Sequence, residues 1–328
     1  DLRGHVYVAD AGDSRVRVYS PDGRHIRDIG RSGRGPGEFA RLVSAGVYAD
    51  TVFAVDVPLQ RVTLFDTVGT VLATIRNPTY HGAPTVVSAL FDNGRRLVIP
   101  AYRPGDTAAV PRLLVSADDR VADTLGFVKP GRMRRFRVGD AEISGPDPFA
   151  SPEFLPISRQ GDRWASIELQ DPTRSGQYPV SIAVRNVGGA ELWRSILEFP
   201  GVPFAEAEVD SIADALVERL EPRGVPAQNV RTRLEVPRFK PPVLTAMFAE
   251  DGSLWMRTAT ENRAQASWIV LDSSGTAIAR LEMPTMFRPS RIAGNRILGV
   301  GWDEFDVQRI VIYAIVRCTQ PNGGADCL

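Results

Sequence analysis

Apolar and polar residues alternate in short runs along most of this chain. In Arg15-Val16-Arg17-Val18-Tyr19 the period is two, that of a half-buried β-strand. The pattern returns at an offset of 46 residues. Val6-Tyr7-Val8-Ala9-Asp10 aligns with Val52-Phe53-Ala54-Val55-Asp56, Val16 with Val62, Tyr19 with Phe65, Gly23 with Gly69 and Ile29 with Ile75. Each copy predicts three strands: an apolar run ending in Asp, a short loop, an Arg-led alternating strand, a glycine turn and a third apolar run. Weaker copies pair Leu97–Ile99 with Leu113–Val115, Trp164–Ile167 with Ser181–Arg185, Leu254–Met256 with Trp268–Leu271, and Ile297–Val300 with Ile310–Tyr313. In five units a further apolar segment leads in across a tight turn such as Asp92-Asn93-Gly94 or Glu250-Asp251-Gly252.

Four antiparallel strands repeated every 40–50 residues or so predict a β-propeller, because a sandwich or simple barrel has no such period. The expected fold is all-β, a six-bladed β-propeller of four-stranded antiparallel blades. The blades fall at about 1–30, 40–76, 84–126, 153–199, 243–282 and 289–317, with insertions at 127–152 and 200–242 and a tail at 318–328. The first unit lacks its innermost strand and the last its outermost. The expectation is that residues upstream of Asp1 complete the ring.

In the second insertion, Val209, Ile212, Ala213, Leu216, Val217 and Leu220 recur with helical spacing. They predict one amphipathic helix over about 205–220, with its apolar face packed on the propeller. Acidic residues in its first turns favour the positive end of the dipole, and Pro222 and Gly224 stop it. In the first insertion Arg132, Arg134, Arg135 and Arg137 form a dense basic stretch. They are candidates for binding an anion, against the plainer reading of a solvated strand face.

The segment from Val6 to Phe39 resembles an NHL-type repeat. Its linker Gly33-Arg34-Gly35-Pro36-Gly37-Glu38-Phe39 looks like that of bacterial six-bladed propeller proteins carrying "GxGPGEF". The resemblance is close over residues 5–75 and looser over 244–316, and residues 126–152 and 199–242 match no repeat. It implies the fold and little about activity, since most such proteins have none assigned. Physically, the glycines permit the tight passage from one blade to the next, and Phe39 is expected to plug between blades. A phosphate-cradling loop is disfavoured, as no helix and no Gly-Lys-Ser/Thr follows.

Composition narrows the partners. Lys+Arg and Asp+Glu are both 39, so the formal charge is zero. That balance argues against nucleic acid or an anionic membrane surface as partner. Only Lys129 and Lys240 are lysine; every other basic residue is arginine. No apolar run approaches the ~20 residues of a transmembrane helix. Cys318 and Cys327 are the only cysteines, close together near the end. A short bridged loop there suits an oxidising compartment. With a first residue that is not Met, these features lead us to expect a processed or partial chain exported in a bacterium: periplasmic, secreted or associated with the cell envelope.

Candidate chemistry follows from propeller geometry. Ligands sit at the channel mouth, formed by loops between second and third strands and by the links between blades. The alignment places Asp10, Arg15, Asp56, Arg61, Tyr102, Arg103, Glu168, Arg257, Glu261, Trp302 and Asp303 there. Asp10 with Arg15 and Asp56 with Arg61 also read as cross-strand ion pairs that fix their loops. His5, His25 and His81 show no H-x-H or HExxH grouping, and no GxSxG elbow occurs. The expected function is therefore a non-catalytic binding or scaffold propeller that recognises a protein, peptide or glycan and needs no cofactor. The rival is a gluconolactonase- or lyase-like enzyme holding calcium through Asp56, Glu168, Glu261 and Asp303 from four blades.

Overall fold

The computed structural model describes residues 1, 3–48, 50–91, 94–101, 108–128, 133–138, 141–150 and 154–316. Strands β1 (Val6–Asp10), β2 (Arg15–Tyr19) and β3 (His25–Ile29) form the first sheet. A linker with the short parallel pair β4 (Arg31–Ser32) and β5 (Glu38–Phe39) leads to the second. There β6 (Leu42–Tyr48), β7 (Thr51–Asp56), β8 (Arg61–Asp66) and β9 (Val71–Arg76) lie in sequence order. The third sheet adds the two-residue β10 (Thr79–Tyr80) to β11 (Ala83–Leu90), β12 (Arg96–Pro100), β13 (Val110–Val115) and β14 (Val121–Val128). A separate hairpin follows, β15 (Met133–Val138) and β16 (Ala141–Pro146). The fourth sheet has β17 (Arg163–Leu169), β18 (Gln177–Asn186) and β19 (Glu191–Pro200). Helices α1 (Glu206–Leu220) and α2 (Ala227–Thr232) come next. The fifth sheet is β20 (Val243–Phe248), β21 (Leu254–Thr258), β22 (Gln265–Leu271) and β23 (Ala277–Pro284); the sixth is β24 (Phe287–Ala293), β25 (Arg296–Trp302) and β26 (Gln308–Ala314).

These six sheets are the blades of a β-propeller, as the repeat predicts. Blade 4 departs from the four strands expected of it. In blade 4 the expected inner strand around Phe154–Ser158 is reduced to a single bridge, Ile157 to Trp164. Pro156 explains the gap: it has no N–H to donate, although its carbonyl still accepts from Ala165 at 3.0 Å. Blades 1 and 6 carry three strands each, as expected from the sequence.

Blades pack face to face through buried side chains. On β7, Val52 and Ala54 face blade 1, with Val16, Val18 and Phe65. Phe53 and Val55 face blade 3, with Val87, Val98 and Leu113. Both faces of β7 are covered, so this strand reads as an unbroken apolar run rather than an alternating one. Three more such clusters join blades 3 to 4, 4 to 5 and 5 to 6. Among the described residues no buried cluster joins blade 6 to blade 1. Instead a cavity of about 780 Å³ lies between Val6 and Val8 on one side and Val300, Ile310 and Ile312 on the other.

The blade 1–2 linker shows why its glycines are needed. Gly30 has φ +77°, and a Cβ there would stand 2.2 Å from Cε2 of Phe39, which is fully buried between the blades. Glu38 folds back so that its carboxylate accepts from the backbone N–H groups of Arg34 and Gly35 at 3.0 and 2.8 Å.

The amphipathic helix forms where its periodicity places it, but its apolar face does not pack on the blades as expected. Leu216 and Leu220 join Val225, Val230 of α2 and Phe136 of β15 in a small core of their own. The two insertions thus cover each other. Phe136 supplies an apolar surface from a segment with no repeat signal, so the helix stripe finds its partner off the propeller.

Candidate functional site

Strand direction puts the β1–β2, β7–β8, β17–β18, β21–β22 and β25–β26 loops and the interblade links at one end of the channel. The described candidates on these loops lie at this end, and register pairs Asp10 with Arg15 and Asp56 with Arg61 as expected. The expected ion pairs are nevertheless absent. Asp10 accepts from Arg17 Nε at 2.7 Å and from the N–H of Asp13 at 3.0 Å, while Arg15 turns to Asp28 at 2.8 Å. Asp56 is fully buried and accepts from the N–H groups of Ala40 at 2.6 Å and Leu59 at 3.1 Å. Arg61 donates to the carbonyls of Gly35 and Glu38 at 2.7 and 2.8 Å. The reason is local: each loop presents backbone N–H groups within reach of its aspartate, and each arginine reaches past its register partner, Arg15 to Asp28 of β3 and Arg61 to the linker. Asp56 and Arg61 therefore pin the link between blades.

The other acidic candidates are dispersed. Asp303 accepts from the N–H groups of Phe305 and Val307 and from Arg309 at 2.8 Å, which closes its own loop beside Trp302. Glu168 stands opposite Ser181 in the sheet, on the flank that Arg194 also reaches through Ser181. Glu261 is exposed in the β21–β22 loop. Among the described residues no three His, Cys, Asp or Glu side chains gather as metal ligands would. Tyr102, Arg103 and Arg132 lie outside the described residues, as do Cys318 and Cys327. Arg134, Arg135 and Arg137 fall on β15; Arg135 is exposed, and Phe136 beside it is buried.

One candidate, Arg257, lines a cavity of about 550 Å³ at this end of the molecule. The floor is blade 5, with Thr258 and Leu244; the roof is the inserted helix, with Ser211 and Ile212. Phe149 and Phe204, edge to face at 5.1 Å, close one side. Lys240, buried, donates to Glu208 at 2.7 Å and to the carbonyl of Thr260 at 3.1 Å, so the roof is tied to blade 5 by one ion pair. Glu208 also accepts from the N–H of Ala205 at the start of α1. Burial works against the Glu208 carboxylate, yet Lys240 and the Ala205 N–H hold it below its ordinary pKa.

Among the described residues Arg257 has no such partner. Its Nε is buried and unbonded, and burial pushes the guanidinium below its ordinary pKa. Directly across the sheet, Trp268 also keeps a buried indole N–H without an acceptor. Arg263 stands exposed at the rim. Glu208 offsets Lys240, so Arg257 and Arg263 leave the cavity with a positive excess. Sequence reasoning found Arg257 and missed Lys240, Glu208, Phe149 and Phe204, which come from segments outside the repeat. One signal was available: Lys240 is a lysine in a chain that otherwise uses arginine almost throughout.

Among the described residues no helix is long and apolar enough to cross a membrane. No curated protein sequence matches the chain. Among solved structures it is similar to a putative exported protein from Bacteroides fragilis, at 12% identity and TM-score 0.43, over 92% of this chain and 77% of that one. It is similar to a member of the DUF4221 family from Bacteroides vulgatus, at 10% identity and TM-score 0.42, over 94% and 90%. It is also similar to regucalcin, a calcium-binding protein from Agrobacterium tumefaciens, at 12% identity and TM-score 0.40, over 91% and 78%. Residues 1–88 match the model of the DUF5128 family, described as a 6-bladed beta-propeller, in agreement with the fold built above from the repeat.

Proposed function

We propose that the protein is a binding propeller that takes a protein, peptide or glycan ligand at its channel mouth, in the cavity between blade 5 and the two insertions. The observation that carries this reading is Arg257: a guanidinium half-buried in a cavity of about 550 Å³, with no partner among the described residues. A buried donor left unpaired costs about 1–3 kcal/mol, so a position of this kind persists where something else supplies the acceptor. The volume is that of a small-molecule or side-chain pocket, and its walls mix aromatic, aliphatic and hydroxyl groups as such pockets do. The NHL-like linker and the two neighbouring cysteines of the sequence support an exported bacterial protein as the setting for this binding role.

The test is array binding with a blocked cavity. Ser211 is exposed on the roof, so Ser211→Trp fills the space without disturbing the core of α1. Peptide and glycan arrays are probed with both proteins. Ligands retained by the wild type and lost by Ser211→Trp support the reading. Identical profiles, or no ligand on either array, overturn it.

A further inference from the structure

Resting on that reading, we infer that the cavity selects an organic carboxylate carried on an apolar body, with Arg257 as the group that receives the carboxylate. The unsatisfied buried side-chain atom in the cavity lining is a donor: Arg257 Nε, on β21, has no acceptor among the described residues. What is missing is an acceptor, and a negatively charged one suits a half-buried guanidinium best. Arginine presents a planar fork that matches the two oxygens of a carboxylate.

The second observation is the wall opposite. Phe149 and Phe204 meet edge to face, and Ile212 and Leu244 extend the apolar surface. A bare inorganic anion would leave this surface wet. An aromatic or aliphatic body fills it and excludes water from the charged contact, which strengthens that contact. The third observation is that the acidic residue in the cavity lining is already engaged. Glu208 is held by Lys240 and by the start of α1, so it does not compete for Arg257. Lys240 keeps Glu208 in place, and Arg263 at the rim attracts the ligand from solvent. The same chemistry is offered by a free aryl or alkyl carboxylic acid and by the C-terminus of a peptide ending in an apolar residue.

Calorimetric titration separates these cases. N-acetyl-phenylalanine is titrated beside N-acetyl-phenylalanine amide, phenyl phosphate, inorganic phosphate, and a ten-residue peptide ending in phenylalanine with a free or amidated C-terminus. We expect the free acid to bind with Kd at or below about 1 mM. The amide should bind at least ~10-fold weaker, about the effect of losing one charged hydrogen bond. Inorganic phosphate should not compete. Stronger binding by the free-ended peptide than by N-acetyl-phenylalanine identifies a chain terminus as the source, and the reverse identifies a small acid; both support the carboxylate.

Arg257→Gln should lose at least ~10-fold in affinity, while Arg309→Gln, at the same mouth but outside the cavity, should match the wild type. Circular dichroism verifies that each variant is folded, and the acid-against-amide comparison on the unaltered protein stands whatever the variants do. Equal binding of acid and amide, tighter binding of phenyl phosphate, wild-type affinity in folded Arg257→Gln, or no binding of any carboxylate overturns the inference. If array ligands still depend on the cavity in that event, the binding reading survives and only the ligand class falls.

Discussion

Replacing Gly30 by alanine tests whether the linker glycine serves backbone conformation or close packing. Two costs are expected. At φ +77° a side chain pays roughly 1 kcal/mol for left-handed backbone. The new Cβ also falls 2.2 Å from Cε2 of Phe39 and 3.0 Å from the carbonyl oxygen of Gly37. Phe39 is fully buried and has no free direction to move, so overpacking adds about 1–3 kcal/mol. The sum is about 2–4 kcal/mol. Gly82 is a built-in control: its φ is also +77°, and nothing lies within 4 Å of the place its methyl would take. Gly82→Ala should therefore cost only the backbone part, roughly 1 kcal/mol. Equilibrium urea unfolding gives both values. A second arm uses Phe39→Leu, which removes the ring edge: in that background Gly30→Ala should cost no more than Gly82→Ala does in the wild type. Equal losses for the two glycines, or an unchanged Gly30→Ala cost beside Leu at 39, would refute the packing argument.

Asp56→Ala should destabilise by about 2–4 kcal/mol, because it removes a fully buried carboxylate and leaves the N–H groups of Ala40 and Leu59 without their acceptor; a calorimetric loss below 1 kcal/mol or so counts against its role as a pin. Arg257→Met should leave the stability unchanged or raise it by up to about 2 kcal/mol, since it removes a half-buried charge that has no partner among the described residues; a clear drop in the calorimetric melt contradicts that description. Acid should loosen blade 1 early. The N–H of Asp13 and then Arg17 hold Asp10 below its ordinary pKa, and Arg15 and then His25 do the same for Asp28. For depressed carboxylates the stabilisation is complete above the usual carboxylate range and disappears as pH falls below it, here from about pH 4 downward. Hydrogen-exchange protection of residues 6–29, corrected for intrinsic rates, should fall in that window before that of residues 254–271; parallel loss in both contradicts the assignment.

The fold was legible because blade packing writes itself into the chain as a repeat. Val52 to Asp56 shows the same residue types as Val6 to Asp10 because each supplies a strand packed on the neighbouring blade, with Tyr7 and Ala9 against the cluster that Val52 and Ala54 join. The linker glycines were legible for a similar reason, since only glycine tolerates the approach of Phe39. What stayed hidden was the choice of partner among several within reach. Asp56 and Arg61 occupy the expected register, yet the backbone of the linker competes better for each, and register arithmetic does not see the linker. The apolar stripe of α1 was plain, but its partner Phe136 lies in a segment with no period. The site suffered most, because Lys240, Phe149 and Phe204 are brought to Arg257 only by the two insertions.

The seam between blades 6 and 1 changes the mechanical character of the ring. Among the described residues the six blades share five dry joints, and the sixth junction holds a cleft. A closed hoop has a fixed circumference, whereas one cut at a single point can flex like a spring clip. Each blade feels chiefly its immediate neighbours, as in a linear array of repeats, and the two flanking the cleft have half the support of the rest. The bore of the channel is thus set by the accumulated angle of five joints, and a small change at any of them widens or narrows it.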